Sequence, residues 1–157
     1  MTENTQQQPI QLQINSQYIK DLSFEAPNLP FVLLEMKSAP LITIDVDVQA
    51  QKTNTPDSFI VELKTKINVQ RQEDKKAIFI CELIYGGLVG ITAPPEHIQP
   101  ILLVEVPHLL FPYARAILAN ITRESGLPPL QINPIDFAGL YRSKLAAVAQ
   151  EPEKKDA

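Results

Sequence analysis

Between Ser58 and Arg71 apolar and polar residues alternate with scarcely a break. Phe59, Val61, Leu63, Ile67 and Val69 fall on one side, and Glu62, Lys64, Lys66, Asn68 and Gln70 on the other. Successive side chains of an extended chain point to opposite faces. A period of two therefore demands a strand with one face covered. Two earlier stretches repeat the pattern. Leu12, Ile14, Tyr18, Leu22 and Phe24 oppose Gln11, Gln13, Asn15, Gln17, Asp21, Ser23 and Glu25; Leu41 to Gln51 places Asp45 and Asp47 on one face. Short turns, Asn54-Thr55-Pro56-Asp57 and Gln72-Glu73-Asp74-Lys75, separate the later strands. Such turns favour a mainly antiparallel sheet.

The fourth predicted strand, Lys76 to Tyr85, differs. Ala77, Phe79, Cys81, Leu83 and Tyr85 make one apolar face, and Ile78, Ile80 and Ile84 dominate the other around Glu82. Both faces call for cover. Helices cover one side of so small a sheet, so the second side is expected to meet a partner or another copy. Gly86-Gly87 is expected to end this strand.

A helical region is predicted from Pro94-Pro95 to Ser125, with Gly126 as its C-cap. Within it, Pro107-His108-Leu109-Leu110-Phe111-Pro112-Tyr113-Ala114-Arg115 sets prolines inside an apolar helical stretch. Proline lacks the N–H donor and costs roughly 3 kcal/mol inside a helix, so a bent or stepped helix is expected. Asn133-Pro134-Ile135-Asp136 reads as the start of a last helix, with Phe137, Leu140, Tyr141, Leu145 and Val148 on one apolar face. Between the first two strands, Ala26 to Pro30 breaks the chain, and Phe31 to Met36 is an apolar clump without period.

The 157 residues suit one domain, expected over 10–150, with a disordered arm over 1–9 and a disordered tail over 151–157. A net charge of -4 disfavours nucleic acid as a partner. Five glycines against fourteen prolines disfavour a glycine-rich phosphate loop. The single cysteine, Cys81, cannot form an internal disulfide and fits a reducing cytoplasm. The polar N-terminus does not read as a signal peptide, and no apolar run is expected to reach the roughly 20 residues of a membrane span.

Site chemistry is sparse. His97, His108 and Cys81 are too few for a structural zinc site, and no metal or cofactor is expected. Cys81, in mid-strand, reads as a packed thiol, and Asp45 with Asp47 as a solvated face. No nucleophile or nucleotide-hydrolysis motif is present, so the chain is not expected to be an enzyme.

Four segments carry a resemblance. Lys20 to Asn28 (KDLSFEAPN), Phe79 to Gly87 (FICELIYGG), Leu110 to Arg115 (LFPYAR) and Leu130 to Leu140 (LQINPIDFAGL) are similar, in order and spacing, to the SecB family of bacterial export chaperones. The resemblance covers about Tyr18 to Leu145. It implies an α+β fold: a four-stranded antiparallel sheet, a long bent helix and a C-terminal helix. It also implies a homotetramer, a dimer of dimers, with helices between two outer sheets. The implied function is to hold secretory precursor proteins unfolded, without ATP, and to deliver them to the SecA motor in the cytoplasm. Direct membrane insertion is not implied.

In the family, acidic residues of the outer sheet meet a basic, zinc-containing tail of SecA, and the zinc belongs to that partner. The matching positions here are Asp21, Glu25 and Glu82, with Ile80 as their apolar neighbour. The resemblance turns Cys81, Leu83 and Tyr85 inward, toward the oligomer interface; plain intrasubunit core explains them equally. The family often carries a tryptophan after the first strand, and this chain has none. Client-binding residues are expected at Phe24, Leu29, Phe31, Leu33, Leu34, Met36, Phe137, Leu140 and Tyr141, although Phe24, Phe137 and Leu140 also suit a core. Two other readings stay open: a chaperone dedicated to one client such as an antitoxin, and an oligomeric adaptor without holdase activity.

Overall fold

The structure is a computed structural model that describes residues 8–150. Residues 1–7 of the expected arm and the expected tail over 151–157 lie outside the described residues. Four strands, β1 (Gln11–Glu25), β2 (Leu41–Lys52), β3 (Ser58–Gln70) and β4 (Ala77–Thr92), form one antiparallel sheet in the order β1-β4-β3-β2. Helix α1 (Phe31–Leu34) is a single turn between β1 and β2. Helix α2 (Pro95–Pro100), a π-helical turn (Ile101–Glu105) and α3 (Val106–Glu124) run on without a break, and α4 (Phe137–Gln150) closes the described chain.

The alternation in β3 holds as expected: Phe59, Val61, Leu63, Ile67 and Val69 are all buried beneath the helices. In β1 it holds only in pieces. Register shifts fall between Ile14 and Ser16 and between Ile19 and Asp21. Each inserts an unpaired residue and turns the following side chains over. Leu12, Ile14, Leu22 and Phe24 therefore share the helix face, while Tyr18, expected with them, pairs with Gly86 on the outer face. Gln17 takes the inner place and accepts a hydrogen bond from Tyr85 Oη at 3.0 Å.

The expectation that Gly86-Gly87 ends β4 is overturned. The strand continues to Thr92, with both glycines paired to β1 and β3. These positions are bare because neighbours come close. A Cβ on Gly86 would sit 2.6 Å from Tyr18 Cζ, and one on Gly87 would sit 3.2 Å from Leu110 Cδ2 of α3. Gly87 thus lets α3 settle deep on the sheet. Val106, Leu110, Ala114 and Leu118 pack there against the inner side chains of β3 and β4. Each fully buried aliphatic contributes roughly 1.5–3 kcal/mol.

The expected step in the long helix is the π turn. Val106 N–H donates to the carbonyl of Ile101, five residues back. Pro107 has no N–H to extend either a π or an α ladder, so the wide turn stops there and α geometry resumes. The helical run Pro95–Glu124 is, by length and composition, long and apolar enough to cross a membrane, contrary to the expectation that no run reaches that size. Its buried side is core, packed on the sheet. It ends as expected at Gly126, whose φ is +79°. Gly126 N–H donates to Arg123 and Leu127 N–H to Thr122, the paired bonds of a Schellman motif.

The start of α4 is shifted from the expected Asn133. Asp136 is the cap: its Oδ1 accepts from Gly139 N–H at 3.0 Å. Asn133 and Pro134 remain in the irregular connector before the helix. Of the expected apolar face of α4, Leu145 and Val148 are exposed.

Candidate functional site

Strands β1 and β2 lie on opposite edges, so the chain from Ala26 to Pro40 crosses the end of the sheet. This crossover segment and the connector Leu127–Gln131 face one another over the sheet. Between them lies an apolar hollow of about 450 Å³, walled by Leu33 and Met36 on one side and by Leu127 and Leu130 on the other. Phe79 and Ile42 contribute from the sheet. A more open hollow of about 740 Å³ continues along β2, where Ile44 and Val46 face Ile135 and Leu140. The two hollows share Ile42 and Gln131, and together they form one groove along the β2 edge.

The nine client-binding candidates divide. Leu33 and Met36 line the first hollow and Leu140 the second. Tyr141 stands beside Leu140 in a small adjoining recess with Val46 and Leu103. Phe24 stacks on Phe79 with ring centroids 5.3 Å apart, and so backs the groove from β1. Leu29 packs against the core. Phe31 and Leu34 point outward, 74% and 77% exposed, because their one-turn helix spends Val32 on the core. Phe137 is corrected: only 2% exposed, it meets Phe111 edge-on at 6.1 Å and is core.

Sequence reasoning missed Ile42, Phe79, Leu127 and Leu130 as groove residues. Alternation announced the apolar character of Ile42 and Phe79 but not the hollow above them. It also missed Thr122, a buried hydroxyl on α3 that holds the connector wall. Thr122 Oγ1 donates to the Leu118 carbonyl at 3.0 Å and accepts from Leu130 N–H at 2.9 Å. At the far end Lys144 Nζ fastens α4 to the β2 edge, donating to the Val48 carbonyl and pairing with Asp47 Oδ1, each at 2.6 Å. Burial disfavours the Asp47 charge, but Lys144 and Gln49 outweigh it and hold the carboxyl below its ordinary range. Asp47 is therefore tethered rather than merely solvated.

The opposite, outer face gathers the other candidates. Glu25 pairs across to Ile80, Ser23 to Glu82 and Asp21 to Ile84, so Asp21, Glu25, Ile80 and Glu82 share one surface. Asp21 and Glu25 are exposed. This surface is mixed rather than purely acidic. Lys66 Nζ lies 3.4 Å from Glu82 Oε1, and Lys20 Nζ reaches Glu62 Oε1 at 2.6 Å. The hydrogen bond to Glu62 raises the Lys20 pKa above its ordinary value.

Cys81 and Leu83, assigned to a subunit interface, are 0% and 1% exposed within a single chain, and Tyr85 is also buried. Helix α3 of the same chain covers this face, in keeping with the intrasubunit-core reading that explained the three residues equally. Burial pushes the Cys81 thiol up to about 11. Among the described residues no group of three His, Cys, Asp or Glu side chains converges on a metal-sized site.

A family profile described as "Preprotein translocase subunit SecB" matches residues 4–148. The protein-export protein SecB of Rhodospirillum rubrum is 44% identical over 92% of this chain and 88% of its own length. That of Paramagnetospirillum magneticum is 48% identical over 87% of this chain and 86% of its own. Among solved structures, the SecB-like chaperone Rv1957 of Mycobacterium tuberculosis, in complex with a ChAD peptide from the HigA1 antitoxin, superposes with a TM-score of 0.66. The match covers 80% of this chain and 91% of that one at 15% identity, a likeness of fold. With its four-stranded antiparallel sheet, stepped helix and C-terminal helix, and with relatives this similar along most of its length, the chain belongs to the SecB family of protein-export chaperones.

Proposed function

We propose that this chaperone captures unfolded secretory precursors in the groove along β2 and passes them to SecA through its outer sheet face. The observation that carries the reading is the apolar groove, with Leu33 and Met36 on one wall and Leu127 and Leu130 on the other. An unfolded chain exposes apolar segments of no fixed sequence. A long apolar trough removes them from water without demanding one register. The flexible Met36 side chain adapts to varied contents. Several such sites on one assembly act on one client at a raised effective concentration.

Release occurs by handover, since nothing in the sequence reads as a nucleotide-hydrolysis site. Asp21, Glu25 and Glu82 attract a basic partner segment, and Ile80 gives it an apolar anchor. Assembly is a homotetramer. Exposed Leu109 and Tyr113 on α3, with Ile19 and Leu22 of β1, supply apolar surface for contact between copies. The working compartment is the cytoplasm, where SecA meets precursors.

The test mixes an unfolded precursor with the chaperone, with and without SecA. Folding of the precursor should be retarded by the chaperone alone, and SecA should draw the precursor into a complex with itself. A precursor that folds at its unassisted rate would remove the holdase reading.

A further inference from the structure

The β3–β4 hairpin turn stands at the sheet end that the crossover segment must pass. It is tightly made. Arg71 N–H donates to the Lys76 carbonyl at 2.9 Å, and Lys75, with φ at 62°, donates back to Arg71 at 3.0 Å. Asp74 takes Arg71 Nε and Nη2 at 2.9 and 2.6 Å, a two-pronged pair of fixed geometry. The guanidinium is thereby set before it touches anything else.

Its remaining edge leaves the turn. Arg71 Nη1 donates to Glu35 Oε2 of the crossover segment at 3.3 Å. Three residues on, Ser38 Oγ donates to Glu73 Oε1 at 2.8 Å. At the start of the crossing, Asn28 Nδ2 donates to the Ala77 carbonyl at 3.1 Å. Leu33 lies between the first and second of these ties along the chain, and Met36 between the second and third. These are the two crossover side chains that wall the groove. Arg71 is nearly buried whereas Glu35 is exposed. Such a half-exposed pair adds little to global stability, but it fixes where Glu35 stands.

We propose that Arg71, preset by Asp74, is a positioning residue for client capture: through Glu35, and with Glu73 on Ser38 as a second clasp, it holds the crossover segment as a standing wall of the groove. The proposal rests on the groove being the client site. A wall ordered beforehand spares the client the ordering cost at binding. The clasp is ionic and open to solvent on the Glu35 side, so salt weakens it.

The test is the double variant Glu35→Gln, Ser38→Ala, which leaves Arg71 and Asp74 untouched. Hydrogen exchange over residues 29–39 is measured together with the dissociation of reduced, carboxymethylated α-lactalbumin, a chain that stays unfolded, at low and high salt. Exchange in the segment should rise on the order of tenfold while β3 and β4 keep their protection. Dissociation should quicken several-fold, and the salt sensitivity of the wild type should be lost. Arg71→Lys keeps the charge but loses the fork, and should loosen the same segment. The comparison variant, Ile42→Ser in the groove floor, should weaken capture without altering exchange over residues 29–39. If the double variant leaves exchange unchanged, the clasp is refuted. If exchange rises, Ile42→Ser weakens capture and the double variant does not, the groove stands and the role of Arg71 falls. If the wild type captures nothing, or neither variant affects capture, the groove reading and this role fall together.

Discussion

The ring of Tyr18 lies against Gly86 so closely that a Cβ built on the glycine would sit 2.6 Å from Cζ. The contact crosses from β1 to β4 on the outer face, beside the row that carries Asp21 and Ile84. Gly86→Ala should cost roughly 1–3 kcal/mol through overpacking, seen as a lower denaturant midpoint at unchanged slope. In a Tyr18→Ala background the same change should cost much less, because the clash has gone. Equal costs in the two backgrounds would show that strand conformation, not the ring, keeps the glycine.

Groove and core should separate by experiment. Met36→Ser with Ile42→Ser removes two large apolar side chains from the hollow. At roughly 1.5 kcal/mol each, affinity for an unfolded precursor should fall on the order of a hundredfold, with the melting transition little changed. Phe137→Ala should do the reverse, costing about 3–5 kcal/mol of stability because the ring is buried against Phe111. Titration calorimetry and thermal denaturation on the same samples check both.

For the partner face, Glu82→Lys should weaken binding of SecA or its C-terminal peptide. The substitution removes one attraction and sets a second cation beside Lys66, now 3.4 Å from the Glu82 carboxylate. The loss should be largest at low ionic strength and shrink with added salt. Precursor capture should be unaffected. Wild-type affinity at low salt would move the SecA contact off this face.

Cys81 predicts a pH effect. Its thiol titrates near 11 in the folded chain against an ordinary 9.0, because burial disfavours the thiolate. The folded state therefore holds this proton more tightly than the unfolded one. The contribution is complete below pH 9.0 and is lost as pH rises toward 11. Alkaline titration from pH 8 should cost the wild type roughly 2 kcal/mol more than Cys81→Val, by urea denaturation. Parallel curves for the two proteins would contradict it. In the native protein at neutral pH, thiol reagents should label Cys81 only as fast as the chain opens.

The sheet was legible in the sequence wherever one face is covered and the other wet. Phe59 through Val69 sorted themselves by period two because the helices cover one face while the other carries mostly charged and amide side chains. In β1 the same rule failed at Tyr18, since bulges at two points invert the faces and carry no compositional mark. Gly86-Gly87 misled for a related reason. A glycine needed for close approach looks, along the chain, like one needed for a turn. The outer candidates Asp21, Glu25, Ile80 and Glu82 were brought together because strand pairing preserves alternation. The groove was legible only in part. Leu33 and Met36 announced themselves by lacking period, but Thr122, Leu127 and Leu130 matter through a hydrogen bond and a facing distance that appear only in three dimensions.

The crossing from β1 to β2 has a consequence in chain length. Three interstrand steps at about 4.8 Å separate the two edges, roughly 14 Å in all. The segment from Ala26 to Pro40 would reach about 45 Å if drawn straight. Most of it is slack, and the single turn that displays Phe31 and Leu34 takes up part of it. Residues inserted there would leave the sheet register alone, whereas one residue inserted in β3 would turn a whole row of the core out into water.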